Sequence, residues 1–364
     1  MNSPTGPKIL LATRAIESPP HEGGLVLLKD LGTELVRQGM DVTMFSSTTQ
    51  PAGSIKKLKI FTENGWGRLA RYQFLWGLFR RVADFDIVHL AHVPTAVSAR
   101  LIGRIARRAA KKGTRFVQTV TGLPVITEPD IARLLWGDTI VCQSQEIAAM
   151  VRSAAPSRSS RLILPWPAPQ RVTYSQERRS VTRAAYLAGK EKLVVFPGEL
   201  ARMGVGEDFG GFVDALIANK PSVRLVLACR FDRAGIGRRL AKRYPDNVVS
   251  LGQVPDIISL IEAADLVIFP TKKIDSKFHP PLVLMEALQL GTPVLASSLT
   301  GLSEKLGIDI VRVTDPETAW PAFADEAAKL LAKPVDRTSG HYDRYFTAMT
   351  QAYQQVYRTL GDDN

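Results

Sequence analysis

A single carboxylate within an apolar segment is the first sign of chemistry in this sequence. Residues 279–297 read HPPLVLMEALQLGTPVLAS, in which Glu286 interrupts an otherwise apolar run. Pro281 is well placed as the first residue of a helix, and Gly291 as the residue just past its end. Because a carboxylate is rarely buried without a partner, we expect Glu286 to hold the vicinal hydroxyls of a ribose, or else to pair with a backbone group or an arginine.

Two backbone segments are candidates for binding phosphate or sugar. The first helical N–H groups after residue 280 have no partner within a helix, so they are available to phosphate oxygens. Gly23 and Gly24 follow the first predicted strand, and glycines let a backbone approach a phosphate closely, although such a pair is also ordinary in turns. The residues at the predicted helix start are Pro281, Leu282 and Val283.

A strongly basic segment is the next candidate for function. Residues 54–115 hold 14 Lys and Arg against 3 Asp and Glu, a net charge of +11 in a chain of +12. Such a field attracts phosphates on a membrane, a nucleic acid or a phosphorylated substrate. Within it, apolar side chains recur at three- and four-residue steps: Trp66, Leu69, Tyr72, Leu75, Trp76 and Phe79.

This apolar stripe has two interpretations. The helix packs its stripe on the surrounding domain and leaves a solvated basic rim, or it lies on a membrane, with arginines on anionic lipid and aromatic rings at the interface. An anionic membrane surface is therefore a candidate partner. We expect no nucleic-acid partner, because no recognised nucleic-acid motif accompanies the charge.

Regular alternation of short apolar runs and helical stretches positions these residues. In the first half, strands are predicted at 8–12, 41–45, 86–91, 115–119, 138–142 and 161–164, with helices near 25–38, 94–112 and 145–153. In the second half, strands are predicted at 193–197, 223–228, 247–251, 265–269 and 293–297, with helices near 207–218, 231–244, 255–263 and 281–290. This alternation predicts an α/β protein with two doubly wound parallel sheets.

A break in the alternation marks the domain boundary. Residues 165–190 are rich in proline and charge, which indicates a linker. We therefore expect a Rossmann-like N-terminal domain at 1–170, a linker at 171–190 and a Rossmann-like C-terminal domain at 191–335. Ligands of such sheets bind at the carboxyl ends of the strands, so two facing domains would form a cleft. A last helix is predicted at 340–359.

Composition narrows the class of protein. The two cysteines, Cys142 and Cys229, are far apart and have no metal-ligand spacing, which favours a reducing compartment without a disulfide framework. No run approaches the roughly 18 apolar residues that span a bilayer, and the run at 9–12 is too short for a signal peptide. We expect a cytoplasmic protein, peripheral at the inner face of the membrane if the basic segment binds lipid, with no metal and no cofactor.

The sequence resembles family 4 glycosyltransferases, which have the GT-B fold. Residues 279–297 resemble their nucleotide-binding signature, in which a Glu, seven residues, a second Glu and Gly-Thr-Pro-Val follow in order. Further blocks match in the family's order: 8–12, Gly23-Gly24, 38–43, 86–89, 119–124, 196–200, 251–254 and 264–271. The last helix resembles the one that crosses back to the N-terminal domain, so the resemblance covers nearly the whole chain.

This resemblance implies a retaining glycosyltransferase that moves a sugar from a nucleoside diphosphate to a glycan or lipid-linked acceptor. Glu286 would hold the donor ribose, Arg202 the diphosphate and the helix start the phosphates, with Gly23 and Gly24 contributing from the N-terminal domain. The family's blocks also place Gly198, Glu199 and Val254 in the donor site.

Three departures from the family pattern affect the predicted activity. The first Glu of the pair is replaced by Phe278, which leaves Asp275 and His279 as the nearest polar candidates for catalysis. Glu199 and Gly204 stand where the family often has Arg and Lys for the diphosphate. Thr121 replaces a histidine and is a third catalytic candidate, or simply a turn residue. Alternatives are an inverting transferase, a sugar-nucleotide epimerase, or a degenerate protein that binds nucleotide or membrane without turnover.

Overall fold

Two compact units make up the protein, as seen in a computed structural model that describes most of the chain. The described residues are 6–13, 23–47, 55–62, 67–92, 94, 96–122, 128–272, 280–297, 302, 311–314, 320–334, 337 and 342–362. The N-terminal unit contains the described residues up to Ala168 and those from Arg344 onward. The C-terminal unit contains the described residues from Pro169 to Asp343.

A seven-stranded parallel sheet forms the centre of the N-terminal unit, in the order β3-β2-β1-β4-β5-β6-β7. Its strands are β1 (Ile9–Leu11), β2 (Val42–Ser47), β3 (Lys56–Phe61), β4 (Ile87–His92), β5 (Arg115–Val120), β6 (Thr139–Cys142) and β7 (Ser159–Leu162). The central strands are buried on both faces, which explains their continuous apolar sequences.

Helices cover this sheet. They are α1 (Gly23–Arg37), α2 (Arg68–Arg81), α3 (Ala96–Ala109), α4 (Glu128–Leu134) and α5 (Gln145–Ala154). The strand β3 was not predicted, because its sequence KKLKIF is neither a continuous apolar run nor a regular alternation. It lies at the sheet edge, where lysines protect against further pairing.

The last helix of the chain, α12 (Asp343–Asp362), belongs to the N-terminal unit from Arg344 onward. Tyr353 and Tyr357 are fully buried and approach His89 of β4. The His89 Nδ1 lies 2.6 Å from the Tyr357 hydroxyl, and its Nε2 lies 2.8 Å from the Thr119 hydroxyl. Burial lowers the pKa of His89 to about 3, so the ring is neutral at physiological pH.

A six-stranded parallel sheet forms the centre of the C-terminal unit, in the order β10-β9-β8-β11-β12-β13. Its strands are β8 (Lys192–Pro197), β9 (Val223–Ala228), β10 (Val248–Leu251), β11 (Leu266–Phe269), β12 (Val294–Ser297) and β13 (Val311–Thr314). Its helices are α6 (Gln176–Leu187), α7 (Phe209–Asn219), α8 (Ile236–Arg243), α9 (Ile257–Ala263), α10 (Leu282–Gln289) and α11 (Trp320–Ala332). Strand β13 and helix α11 were not predicted.

The segment 171–190, expected to be a linker, contains helix α6. Ser175 caps this helix, since its side chain accepts a hydrogen bond from the Arg178 N–H. No residue of α6, all of which the structure describes, is buried. Arginines attach it to the C-terminal unit instead: Arg178 contacts Glu262 at 2.5 Å, and Arg183 contacts Asp265 at 2.8 Å.

In helix α2, the apolar stripe does not pack on the domain, which was one of its two interpretations. Leu69, Tyr72, Trp76 and Phe79 are 48–72% exposed, and Trp66 lies outside the described residues. The helix is instead buried along the opposite side, through Ala70, Phe74, Gly77 and Leu78. Packing of the stripe on the domain is therefore wrong for these four residues. Among the described residues, no helix is long and apolar enough to cross a bilayer.

Candidate functional site

The strand order of the N-terminal unit identifies one edge where a ligand can bind. Strands β1 and β4 are neighbours, and the chain proceeds outward from them in opposite directions, through β2 and β3 on one side and β5 to β7 on the other. A crevice forms at the carboxyl ends of two such strands, and ligands of open α/β sheets bind there. His92 is the last residue of β4 and therefore lies at this switch point.

The His92 side chain has unused hydrogen-bonding groups at that position. Both ring nitrogens are buried, and neither has a hydrogen-bond partner among the residues that the structure describes. Burial lowers the pKa of His92 to about 4, so the ring is neutral at pH 7, with one donor and one acceptor nitrogen. Because a buried polar group without a partner costs free energy, His92 is a candidate ligand-binding residue.

Thr121 lies beside His92 on the neighbouring chain segment. Its side chain is buried, and its backbone N–H donates a hydrogen bond to the His92 carbonyl at 3.3 Å. Gly23 and Gly24 are the first two residues of α1, so they lie in the helix and not in a loop before it, as had been expected. Neither has a positive φ, and what they offer a ligand is the free N–H groups of a first helical turn.

In the C-terminal unit, the corresponding switch point lies between β8 and β11. Residues 198–206 follow β8, and residues 270–272 follow β11. The Lys272 N–H donates a hydrogen bond to the Met203 carbonyl at 2.8 Å, which joins the two segments. Helix α10 is the next described helix after β11, and it precedes β12.

Lys272 brings a cation to this edge. Its Nζ lies 2.7 Å from the Asp208 carboxylate and 4.8 Å from the centre of the Trp320 ring. Burial alone would raise the pKa of Asp208, but hydrogen bonds from Lys272 and from the Trp320 indole outweigh burial and lower it. The Lys272 ammonium is therefore held in one place by an ionised partner and an aromatic face.

The loop after β8 contains four residues singled out by the sequence. The Gly198 N–H donates to the Ala228 carbonyl at 3.1 Å, so this N–H is already used within the sheet. Glu199 is half-buried and Arg202 is exposed. Gly204 has a φ of 72°, a left-handed conformation that lysine rarely adopts, which gives a physical reason for glycine at this position.

Glu286 is buried in α10 and paired with an arginine. Its Oε1 accepts a hydrogen bond from Arg171 at 2.6 Å, and the carboxylate side chain is only 7% exposed. This ion pair corresponds to the second of the two partners expected for Glu286. The helix begins at Leu282, with Pro281 as the residue before it and not as its first residue. Gly291 follows the helix with a φ of 66°, as expected.

Family models match both units of the chain. A model described as Glycosyltransferase Family 4 matches residues 22–164, and one described as Glycosyl transferases group 1 matches residues 191–333. This chain belongs to the family 4 and group 1 glycosyltransferases. No curated protein matches the glycosyltransferase significantly.

Solved structures of low sequence identity share the fold of this glycosyltransferase. HepE of Anabaena, solved with UDP and glucose, is 16% identical with a TM-score of 0.68, over 98% of this chain and 100% of HepE. AviGT4, a glycosyltransferase involved in avilamycin A biosynthesis, is 21% identical with a TM-score of 0.66, over 98% and 99%. The catalytic domain of starch synthase IV from Arabidopsis thaliana, bound to ADP and acarbose, is 13% identical with a TM-score of 0.70, over 98% and 100%. The fold is GT-B, with two parallel-sheet α/β domains.

Two of the predicted catalytic residues of the glycosyltransferase cannot be placed. Asp275 and His279 lie outside the described residues, as does Phe278. Val254 is half-buried in the turn after β10. The described residues contain no group of His, Cys, Asp and Glu that could hold a metal ion.

Sequence reasoning missed three residues of this glycosyltransferase: His92, Arg171 and Lys272. His92 is the last residue of β4 and Lys272 comes three residues after β11, and the sequence contained this signal of position. The sequence did not contain the strand order. Only the strand order shows that the switch points lie at the ends of β4 and β11 and not at other strand ends. Arg171 was not recognised as a partner of Glu286, because the composition of residues 165–190 indicated only a linker.

Proposed function

We propose that this glycosyltransferase moves a sugar from a nucleoside diphosphate to an acceptor and that its C-terminal unit binds most of the donor. The observation that carries this proposal is Lys272, whose ammonium is fixed by Asp208 at the switch point between β8 and β11. Lys272 and the exposed Arg202 of the loop after β8 match the diphosphate of such a donor, and the buried carboxylate of Glu286 in α10 matches its hydroxyls.

The donor residues have distinct roles in this proposal. Glu286, oriented by Arg171, accepts hydrogen bonds from the ribose hydroxyls. Arg202 and Lys272 bind the diphosphate, together with the N–H groups at the start of α10. The remaining donor contacts are assigned to Gly23, Gly24, Gly198, Glu199, Val254, Pro281, Leu282 and Val283.

The transfer retains the anomeric configuration and needs no metal. The leaving phosphate takes the acceptor proton on the same face of the sugar, so the protein acts by positioning and by stabilising charge. Cations and helix N–H groups supply that stabilisation here. His279, Asp275 and Thr121 remain the proposed catalytic side chains, and neutral His92 offers one hydrogen bond to a substrate hydroxyl from the N-terminal unit.

The acceptor is a glycan or a lipid-linked sugar, and the protein works as a peripheral protein at the inner face of the membrane. Support comes from the net charge of +11 at residues 54–115, which attracts phosphate groups. HepE and starch synthase IV were solved with nucleotides of different bases, UDP and ADP, so the base of the donor has to be found by experiment.

A thermal-shift screen of UDP-, GDP-, ADP- and dTDP-sugars tests the donor, because a ligand that binds only the folded state raises the melting temperature. We expect one base to give a clear shift, and NMR of the product to show a retained anomeric centre. Absence of a shift with all four donors would overturn the donor site. An inverted product would indicate an inverting transferase, and an epimerised free donor would indicate a sugar-nucleotide epimerase. Binding without turnover would indicate a degenerate protein that only binds nucleotide.

A further inference from the structure

The exposed side of α2 combines aromatic and basic side chains in an ordered way. At about 100° per residue, Leu69, Tyr72, Trp76 and Phe79 fall within an arc of about 80°. Arg68 and Arg80 lie just outside the two edges of this arc, and both are exposed. Burial of α2 occurs on its opposite side, so the arc takes no part in the core of the N-terminal unit. We call these four apolar residues the α2 face.

Contacts within the α2 face give it a defined shape. The rings of Trp76 and Phe79 stack with their centroids 5.9 Å apart, and the Arg80 guanidinium lies 5.6 Å from the centre of the Trp76 ring. Exposed large apolar side chains occur singly on most proteins and need no explanation, but a contiguous group of this kind indicates a binding surface.

The adjacent helix α3 extends the positive charge. It packs against α2 and exposes Arg100, Leu101, Arg104 and Arg108. The sequence from 67 to 112 contains only two acidic residues, Asp84 and Asp86. Both are in ion pairs, with Arg81 and Lys111 respectively. Other segments add Asp138, which pairs with Arg107 of α3. Residues 67–112 still hold ten Lys and Arg against their two Asp, so the segment around the α2 face is strongly basic.

We propose that the α2 face docks this protein on an anionic lipid bilayer, with its aromatic rings inserted at the interface. Charge complementarity selects this occupant: arginines on both sides of an apolar arc match a layer of anionic headgroups above acyl chains. A second copy of this chain would bring a second basic surface against the first. This inference rests on the proposed membrane location and names the surface responsible for it. Docking needs no glycosyl transfer, so it can fail while the proposed transfer stands.

Two kinds of variant separate the apolar contribution from the electrostatic one. Tyr72→Ser/Trp76→Ser/Phe79→Ser removes the three aromatic rings of the α2 face, and Arg68→Gln/Arg71→Gln/Arg80→Gln removes three charges. All six side chains are exposed, so melting temperatures should stay close to that of the parent. A matched control, Arg233→Gln/Arg238→Gln/Lys242→Gln, removes three exposed charges from the C-terminal unit.

Co-sedimentation of the full chain with vesicles of 25% phosphatidylglycerol in phosphatidylcholine measures the docking. We expect binding that weakens with salt and is much lower on pure phosphatidylcholine. A basic residue near such a surface is worth about fivefold in partitioning, so the arginine variant should lose about 100-fold and the control almost nothing. The serine variant should lose binding at all salt concentrations. Equal binding by the serine variant and the parent would overturn the proposal.

Tryptophan fluorescence tests insertion directly. Trp136, Trp166 and Trp320 are buried, whereas Trp76 is 60% exposed, so a Trp66→Phe background reports mainly on Trp76. Its emission should shift to the blue on anionic vesicles and be quenched by brominated acyl chains. Sedimentation without these changes would mean purely electrostatic attachment and would overturn insertion. Formation of a dimer in solution that the serine variant abolishes would assign the face to a second copy instead.

Discussion

The ion pair between Arg171 and Glu286 allows two roles of the Glu286 carboxylate to be tested separately: its contribution to the stability of the fold and its binding of the nucleotide. We expect Glu286→Ala to abolish the thermal shift given by the right nucleotide, because the ribose loses its acceptor. Arg171→Ala should instead lower the unfolding free energy of the C-terminal unit by about 1–3 kcal/mol, since it leaves a buried carboxylate without its arginine.

Calorimetric titration and denaturant unfolding of both single variants and the double variant check this prediction. The double variant should be more stable than Arg171→Ala, because it no longer buries a carboxylate that has lost its arginine. Nucleotide binding by Glu286→Ala at the parent's affinity would show that the pair is only structural.

The two cations near the β8 and β11 ends should differ in importance for the nucleoside diphosphate. Arg202 is exposed in the loop after β8, and Lys272 is only 21% exposed and pairs with Asp208. A charge-assisted hydrogen bond contributes about 1.5–3 kcal/mol, so Arg202→Ala should weaken the diphosphate by about 10- to 100-fold and the monophosphate far less. Lys272→Ala should weaken both less and also lower stability. The same loss for both nucleotides with Arg202→Ala would exclude this role.

His92 offers a test that distinguishes binding from structure. His92→Leu replaces a buried ring without partners by an apolar side chain, so the melting temperature should stay the same or rise. If the ring binds substrate, kcat/KM should fall about tenfold, which corresponds to about 1.4 kcal/mol. With a pKa of about 4, His92 should add no step to the pH profile between 6 and 8. Full activity in the leucine variant would remove His92 from the site.

The sequence therefore identified some residues of the candidate site, but not the side chains that contact them. Glu286 was found because a charge in an apolar helix is unusual, and its arginine was left open as an alternative to ribose. Arg171 was named by no pattern, since the two residues are 115 positions apart in the chain. Lys272 resembled any surface lysine until its bond to the loop after β8 was known.

At the scale of elements, α6 is held by ion pairs and should respond to their removal. Arg178 contacts Glu262, which is 0% exposed, while Arg179 and Arg183 both contact Asp265. Arg178→Gln leaves a buried carboxylate with one partner fewer. Amides of α6 should then exchange at least tenfold faster, and trypsin should cleave within 176–187 sooner. The exposed Arg152 of α5 provides the control, since Arg152→Gln should change neither. Unchanged exchange in Arg178→Gln would mean that other contacts hold α6.

The buried strands and helices were predictable because their periodicity reflects burial on one or both faces. Helix α2 shows where this inference ends. It has apolar residues on both sides, with Phe74 and Leu78 on the buried side, so its sequence pattern could not indicate which set faces the domain. The orientation is decided by elements that come together in three dimensions: β3, α3 and Phe45 of β2, which contacts Phe74 edge to face.

At the scale of the whole molecule, the buried His89 makes the stability of the N-terminal unit depend on pH. Its pKa is about 3 in the folded protein against an ordinary 6.5. Protonation therefore favours the unfolded state: the stability is complete above pH 6.5 and falls as the pH is lowered towards 3. The slope from this residue is about 1.4 kcal/mol per pH unit.

Denaturant unfolding between pH 7.5 and 4.5 measures this dependence, with His89→Gln as the comparison. The variant should be less stable than the parent at neutral pH. As the pH is lowered, its unfolding free energy should decrease less steeply, and the two slopes should differ by about 1.4 kcal/mol per pH unit. His92 contributes in the same direction in both proteins, because burial also lowers its pKa. Parallel slopes for the parent and the variant would contradict this account.

The position of α12 in the N-terminal unit also has a consequence for synthesis on the ribosome. Arg344, where the rest of the unit begins, is separated from Ala168 by 175 residues of the chain, and the fully buried Tyr353 and Tyr357 are translated later still. At roughly 5–20 residues per second, the seven-stranded sheet waits about 10–35 s with the surface under α12 uncovered. That surface is then available to chaperones on every nascent chain, and a premature stop codon near residue 340 leaves it uncovered permanently.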